Sequence, residues 1–382
     1  MENYFSSDFK LGVLGGGQLG RMLLSETQKL DIHTCVLDSS KEAPCAPYCN
    51  EFFLGDLLNY DDVYEFGKKV EVLTIEIEHV NIEALYKLEE EGVKVYPQPN
   101  VIATIQHKGK QKDFYKEKNI PTSPHQRFNS LKELKAASLN DFPFVWKSAQ
   151  FGYDGMGVKI VRNVADIQNL PDTECITEKL IPFKNELAVI VARNADGKVK
   201  TYPVVEMEFH PEANQVEYVI CPARIDDKVA EKARLVAMEV AKAFEHVGLL
   251  AVEMFQTEND EIIVNEVAPR THNSGHYSIE ASYTSQFEQH LRTILNLPLG
   301  NTDSKLAGIM VNLVGADGYE GNVIYKNITD ILEIEGVTPH IYGKKITKPF
   351  RKMGHVTIVN KDIKVARKTA ELVKNTVKVI SK

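Results

Sequence analysis

The 382-residue chain has no apolar run near the roughly 18 residues that a membrane-spanning helix needs, so no membrane association is expected. Its opening stretch, MENYFSSDFK, has neither a basic region nor an apolar one, and no secretory signal is expected. Basic charge is in short supply. Against 53 Asp and Glu stand 45 Lys and Arg, a net charge of −8. A dedicated nucleic-acid binder usually carries a basic domain, so no nucleic-acid partner is expected. The five cysteines (Cys35, Cys45, Cys49, Cys175, Cys221) are odd in number and form no C-x-x-C pair. That argues against a disulfide scaffold or a zinc fold and for reduced thiols in a cytoplasmic protein. Internal repeats and low-complexity linkers are also missing. The rest is ordinary for a globular protein, with 43% hydrophobic and 26% charged residues. At roughly 150 residues per domain, the length predicts two or three domains.

Residues 9–107 alternate short apolar strands with helical spacing. Strands are expected at Lys10–Leu14, Ile32–Leu37, Val72–Ile77 and Val93–Tyr96, and helices at Gln18–Leu30, Asp61–Lys69 and Ile82–Glu91. That alternation predicts a parallel sheet with helices on its faces. After Pro121 the pattern becomes α+β. Strands are expected at Phe142–Ser148, Val158–Val161, Cys175–Lys179, Glu186–Ala192, Lys198–Glu208 and Val216–Cys221. A long helix over Asp226–Phe244 precedes strands Leu249–Gln256 and Ile262–Val267. Short strands then fill Lys305–His355, and a locally basic helix covers Val365–Val379. The simple reading of that last helix is a solvated face.

Two glycine loops and one carboxylate pair carry the chemistry. Gly15, Gly17 and Gly20 match G-x-G-x-x-G between a strand and a helix, with Asp38 ending the next strand. Such a loop suits a dinucleotide, another phosphate or anion, or simply a tight turn. The second loop, Phe151–Gly157, joins two strands and follows Lys147. It lacks the order of a P-loop. It reads either as a flap over phosphates beside a cationic Lys147 or as a glycine-rich hairpin. Glu253 and Glu266 lie on two strands whose midpoint falls between Asn259 and Asp260. A symmetric hairpin would set the two carboxylates opposite each other, roughly 5 Å apart at Cβ. Such a pair repels unless a proton or cation joins it, and magnesium binds carboxylates together with phosphates. An exposed hairpin face is the alternative. Arg270, His272 and Asn273 follow directly, in Asn265-Glu266-Val267-Ala268-Pro269-Arg270-Thr271-His272-Asn273-Ser274-Gly275-His276. A guanidinium suits a planar oxyanion such as bicarbonate, and His272 suits hydrogen bonding or proton transfer near neutral pH.

A strand lysine, a glycine flap, a strand Glu-Lys and a paired Glu ending in Asn-Glu together resemble the ATP-grasp superfamily. Within it, GGGQLGRML, TIEIEHV, FGYDGMG, NEVAPRTHNSGH, YGK and RKMGH resemble the 5-(carboxyamino)imidazole ribonucleotide synthase family, in family order from about Leu11 to about His355. The flap departs from the family pattern at Phe151 and Met156, and Lys108 stands where the family has Arg.

The resemblance implies an ATP-grasp fold of mixed α/β and α+β class. A Rossmann-like N-terminal domain would span 1–107 and the ATP-grasp domain 108–304, with a flap subdomain at about 113–182. A small β-rich C-terminal domain would span 305–382. It further implies ATP contacts at Lys108, Lys147, Gly152, Tyr153, Gly155, Gly157, Glu178, Lys179, Ile181, Glu186, His210, Asn265 and Glu266. Magnesium would sit on Glu253 and Glu266. Arg270, His272 and Asn273 would form the bicarbonate pocket, with Asp154 near the reacting amine. Gln18, Glu76, Tyr153, Asp154, Lys344 and Arg351 would face the aminoimidazole ribotide. The implied reaction is ATP- and bicarbonate-dependent carboxylation of that ribotide by a cytoplasmic homodimer. Three other readings differ in class: a NAD-dependent oxidoreductase, a silent nucleotide-binding regulator, and a sister ligase joining formate to glycinamide ribotide.

Overall fold

A computed structural model describes residues 4–137, 141–150, 157–210 and 215–382. The first sheet has five parallel strands, in the order Glu51–Leu54, His33–Asp38, Lys10–Leu14, Val72–Ile75, Lys94–Tyr96. Chain order reverses between Lys10–Leu14 and Val72–Ile75. Ligand crevices in open α/β sheets form beyond the carboxyl ends of strands at such a switch point. Gly15 follows one of these strands and Glu76 the other. The strand Glu51–Leu54 was not anticipated, because it is a half-exposed edge with no in–out alternation.

A second, antiparallel sheet orders His125–Phe128, Cys175–Lys179, Phe144–Ser148 and Val158–Val161. Trp146, Phe144, Phe128 and Leu134 form its core.

The largest sheet runs Ile262–Ala268, Gly248–Thr257, Phe183–Arg193, Val205–Phe209, Val216–Cys221, Ala307–Val314, Lys352–Asn360, Val337–Ile341. Helix Asp227–Phe244 covers one end of it, with Val229, Ala233, Val236 and Val240 against Leu250, Val252 and Val264. The sheet crosses residues 304/305 without a break, because Val216–Cys221 pairs with Ala307–Val314. Only Gly321–Lys326, Ile346–Thr347 and Lys378–Ser381 form a separate C-terminal sheet.

Two expected elements differ. The strand expected over Lys198–Glu208 is two strands, Val199–Thr201 and Val205–Phe209. Pro203 has no N–H for a ladder, and the chain breaks there. The last helix is Ile363–Thr376, and the chain then turns into strand Lys378–Ser381. Among the described residues, no helix is long and apolar enough to cross a membrane.

Candidate active site

Glu253 and Glu266 are direct cross-strand partners. The turn alone does not set that register. Nearer the turn, Met254 pairs with Val264 and Gln256 with Ile262, which centres the hairpin on Asn259. A bulge between these pairs and Glu253 absorbs one extra residue, Asn265. Bulges re-aim side chains. Here Val264 and Val267 stay in the core while Asn265 and Glu266, adjacent in sequence, both leave it. Asn265 Oδ1 accepts from Lys147 Nζ at 2.9 Å, and Glu266 Oε2 accepts from Lys108 Nζ at 2.5 Å.

The electrostatics divide the pair. Lys108 holds the Glu266 carboxyl well below the usual range. Burial, followed by Glu266 and Glu186, pushes Glu253 well above it. His272 Nε2 lies 3.3 Å from Glu253 Oε1. Glu186 is also raised, to about 7, by burial and then by Glu266. Two carboxyl groups opposed across one hairpin, with Lys108 on Glu266 and His272 beside Glu253, form a donor set that suits a hard divalent ion.

Behind this pair lies a buried charge cluster. Burial opposes ionisation of Glu178, but Lys147 and Lys112, each 3.0 Å away, keep its carboxyl well below the usual range. The Ser123 hydroxyl donates to the same carboxylate. Burial brings Lys112 down to about 8 against the pull of Glu178.

A cavity of about 410 Å³ opens in front of the carboxylate pair. Of the expected residues, Gln18, Glu76, Lys108, Glu253, Glu266, Arg270, His272 and Asn273 line it. Lys147, Glu178 and Asn265 sit behind it through the contacts given above. Lys179, Ile181, His210, Lys344 and Arg351 are not among the lining residues. Lys344 Nζ reaches the Lys352 carbonyl at 2.8 Å, and Arg351 donates to the Ile346 carbonyl at 2.6 Å. Gly152, Tyr153, Asp154 and Gly155 lie outside the described residues. Gly157, at the end of that loop, has φ of +80°, where glycine is favoured.

The first glycine loop is filled by the protein itself. Gly16 N donates to Asp38 Oδ2 at 2.7 Å, and Leu19 N, in the first turn of the helix, donates to Glu76 Oε1 at 3.0 Å. A dinucleotide would need these same donors, so this loop does not have the free amides of a NAD site. Burial raises Glu76 to about 7 despite Arg270 nearby.

The lining residues not singled out from the sequence include Glu78, Lys352 and His276. Glu78 pairs with Arg270 at 2.9 Å and so ties the first domain to the guanidinium. Lys352 stands among the charges acting on Glu253, in the RKMGH stretch whose neighbour Arg351 was chosen instead. His276 ends the NEVAPRTHNSGH stretch. Asn273 exchanges hydrogen bonds with Asn312 at 2.9 and 3.0 Å, so both of its amide atoms are engaged.

Family models match three consecutive pieces of the chain: a ribonucleotide synthetase preATP-grasp domain over 9–106, an ATP-grasp domain over 113–287, and a phosphoribosylaminoimidazole carboxylase C-terminal domain over 308–369. A phosphoribosylaminoimidazole carboxylase from Candida glabrata is 37% identical over 377 residues, covering 95% of this chain. The chain spans 65% of that relative's length. The crystal structure of N5-carboxyaminoimidazole ribonucleotide synthetase from Thermotoga maritima has a TM-score of 0.91 at 40% identity, covering 98% of this chain and 100% of that one. An Aspergillus clavatus N5-carboxyaminoimidazole synthase, solved with ADP and 5-aminoimidazole ribonucleotide, has a TM-score of 0.87 at 34% identity, covering 97% and 98%. The architecture is the ATP-grasp fold with its N-terminal and C-terminal companion domains.

Proposed function

The chain belongs to the N5-carboxyaminoimidazole ribonucleotide synthase family of ATP-dependent ligases, and from that premise we propose that it carboxylates the exocyclic amine of 5-aminoimidazole ribonucleotide. One observation carries the reading. A single cavity is lined by the carboxylate pair, by Arg270 and His272, and by Gln18 and Glu76 from the switch point of the first sheet. A site for phosphate chemistry, an oxyanion pocket and a wall for a second substrate thus meet in one space.

Bicarbonate attacks the γ-phosphate of ATP, giving ADP and carboxyphosphate. Carboxyphosphate breaks down to phosphate and carbon dioxide. The amine takes up the carbon dioxide as a carbamate and loses a proton. Glu253 and Glu266 would hold magnesium, which offsets charge on the phosphates when bound. Lys147 and Lys108 add fixed positive charge beside them. Glu178 to Ile181 would receive the adenine and Glu186 the ribose. Arg270 and His272 orient the oxyanion. Gln18 and Glu76 face the ribotide. Lys344 and Arg351, which lie outside the cavity lining, would turn from the Lys352 and Ile346 carbonyls to draw its phosphate, and Asp154 would orient or deprotonate the amine. The homodimeric state rests on the family resemblance alone, and the cytoplasmic location on that resemblance together with the reduced-thiol reading of the cysteines; sedimentation of the purified chain tests the first.

The experiment is phosphate release from ATP with magnesium, with and without bicarbonate and the ribotide. Strong stimulation by the ribotide, lost when bicarbonate is withdrawn, is the expected result. Stimulation by glycinamide ribotide with formate instead would overturn the substrate.

A further inference from the structure

Gln286 begins helix Gln286–Ile294 and is fully buried. All its side-chain hydrogen bonds go to the oxyanion segment. Its Oε1 accepts from His272 N at 2.9 Å, and its Nε2 donates to His272 O at 2.8 Å. A backbone N–H only donates and a carbonyl only accepts, so these two bonds fix which end of the amide is which. The second hydrogen on Nε2 then points to His276 Nδ1, 2.9 Å away. That nitrogen must accept. In a neutral ring the proton therefore sits on Nε2.

The rest of the surroundings agree. His276 is 1% exposed and lines the cavity, and its ring makes no other side-chain hydrogen bond among the described residues. Its ring stacks between Phe287 and His355, with centroids at 5.8 and 4.7 Å. Burial, followed by His272, His340, Lys352 and Arg270, holds it well below its ordinary value, so it is neutral at pH 7. Gly275 completes the clamp, because a Cβ there would overlap Gln286 Oε1.

We propose that His276 is a further catalytic residue of this site, a neutral Nε2–H donor to the carboxylate or phosphoryl oxygens of carboxyphosphate, with Gln286 as the positioning residue that sets its tautomer. Arg270 supplies charge to the same anion. His276 supplies a hydrogen bond in fixed orientation, whose strength in a water-poor site comes from needing no reorganisation during reaction. The proposal rests on the reaction proposed above.

Two measurements test it. In full-length enzyme labelled with 15N-histidine, His276 (assigned by its loss in H276Q) should carry its proton on Nε2 at pH 7. That Nε2–H signal should shift when phosphonoformate, a stable carboxyphosphate mimic, is added with magnesium and ADP. A proton on Nδ1, or no shift at saturating mimic, overturns the proposal. In steady-state kinetics, His276→Phe should lower kcat/KM for bicarbonate about a hundredfold, the usual cost of one lost oxyanion donor, with KM for ATP and ribotide little changed. His276→Gln, which returns an N–H near the Nε2 position, should recover about tenfold of that. Unchanged bicarbonate kinetics in His276→Phe, or no recovery in His276→Gln, overturns it as well. If His276→Phe does not fold, the spectra of the wild-type enzyme decide. Failure of the wild-type enzyme to release phosphate in response to bicarbonate would overturn the reaction instead, and the tautomer and mimic shift still test the donor.

Discussion

Glu253 and Glu266 are the same residue type, face each other across one hairpin, and have opposite electrostatic fates. Glu266 is ionised beside Lys108 at 2.5 Å, while burial and its neighbours favour a proton on Glu253 in the metal-free protein. Glutamine resembles a protonated glutamate, so the two isosteric substitutions should separate. Glu253→Gln should leave the melting temperature of the metal-free protein unchanged or slightly higher at pH 8. Glu266→Gln leaves Lys108, with 18% side-chain exposure, facing an amide. Because Glu266 is partly exposed, that loss should cost about 1–2 kcal/mol, between the values for surface and buried pairs. Both variants should lose ATP turnover. Equal melting temperatures for the two would sink the assignment of charge. At this scale the sequence was most readable where residues cluster in one stretch, as from Asn265 to Asn273. Glu78 and Lys352 sit in stretches already singled out, beside Glu76 and Arg351, but sequence does not say which member of a stretch faces the cavity. Gln286 was missed because it reaches the site from another element that nothing local marks.

At the scale of elements, alternation and glycine placement located most of the individually expected strands to within a residue or two, while Glu51–Leu54, His125–Phe128 and the separate strands beyond Lys305 were not resolved from the sequence. The carboxylate register came out as expected through a bulge at Asn265 that hairpin symmetry does not contain. Helix Lys108–Glu117 was not anticipated. Its sequence, KGKQKDFYKE, is almost wholly polar, yet Gln111 and Lys112 are buried and Lys108 faces the site. Positions 108, 111, 112 and 115 share one helical face; its polar members serve the charge cluster, and of the four only Tyr115 joins the apolar core. A cationic buried stripe cannot be told from a solvated one by pattern alone. The first glycine loop is also an element with a test. Gly17 sits against the Glu76 carboxylate, and a Cβ there would overlap Oε1. Gly17→Ala must displace Glu76 from the Leu19 amide, at an overpacking cost of about 1–3 kcal/mol. The expected kinetic result is a higher KM for the ribotide with ATP binding unchanged. A raised Kd for ADP by calorimetry, with the ribotide KM intact, would mean that the loop serves the nucleotide.

Across the whole molecule, the central sheet joins the middle of the chain to its C-terminal part, while the first sheet meets them around the cavity. Burial at this junction leaves ionisable groups that set how stability depends on pH. Glu76 and Glu186 titrate near 7 in the folded chain against an ordinary 4.5, and Glu253 is also raised. Each binds a proton in the folded state that the unfolded chain has released, so each contribution is complete below the unfolded value and lost as pH rises through the folded one. His246 and His290 titrate near 4 against an ordinary 6.5, and burial also keeps His276 and His355 neutral. These four act in the opposite sense, since the unfolded chain binds their protons first, and their contribution is lost as pH falls below 6.5. The two sets oppose each other between pH 4.5 and 6.5; above 6.5 the glutamates dominate, until Lys112, whose folded value is about 8, begins to oppose them near pH 8. The metal-free melting temperature should therefore peak near pH 6.5 and fall by a few degrees toward pH 8. Magnesium with ADP should remove part of that fall, because ionised Glu253 and Glu186 then face a cation and a ribose while Glu76 stays buried without one. Differential scanning fluorimetry across this range, with and without magnesium and ADP, is the measurement. A metal-free melting temperature that climbs steadily from pH 6.5 to 8 would mean that the buried glutamates are already ionised, and that the cavity reaches water more freely than its walls imply.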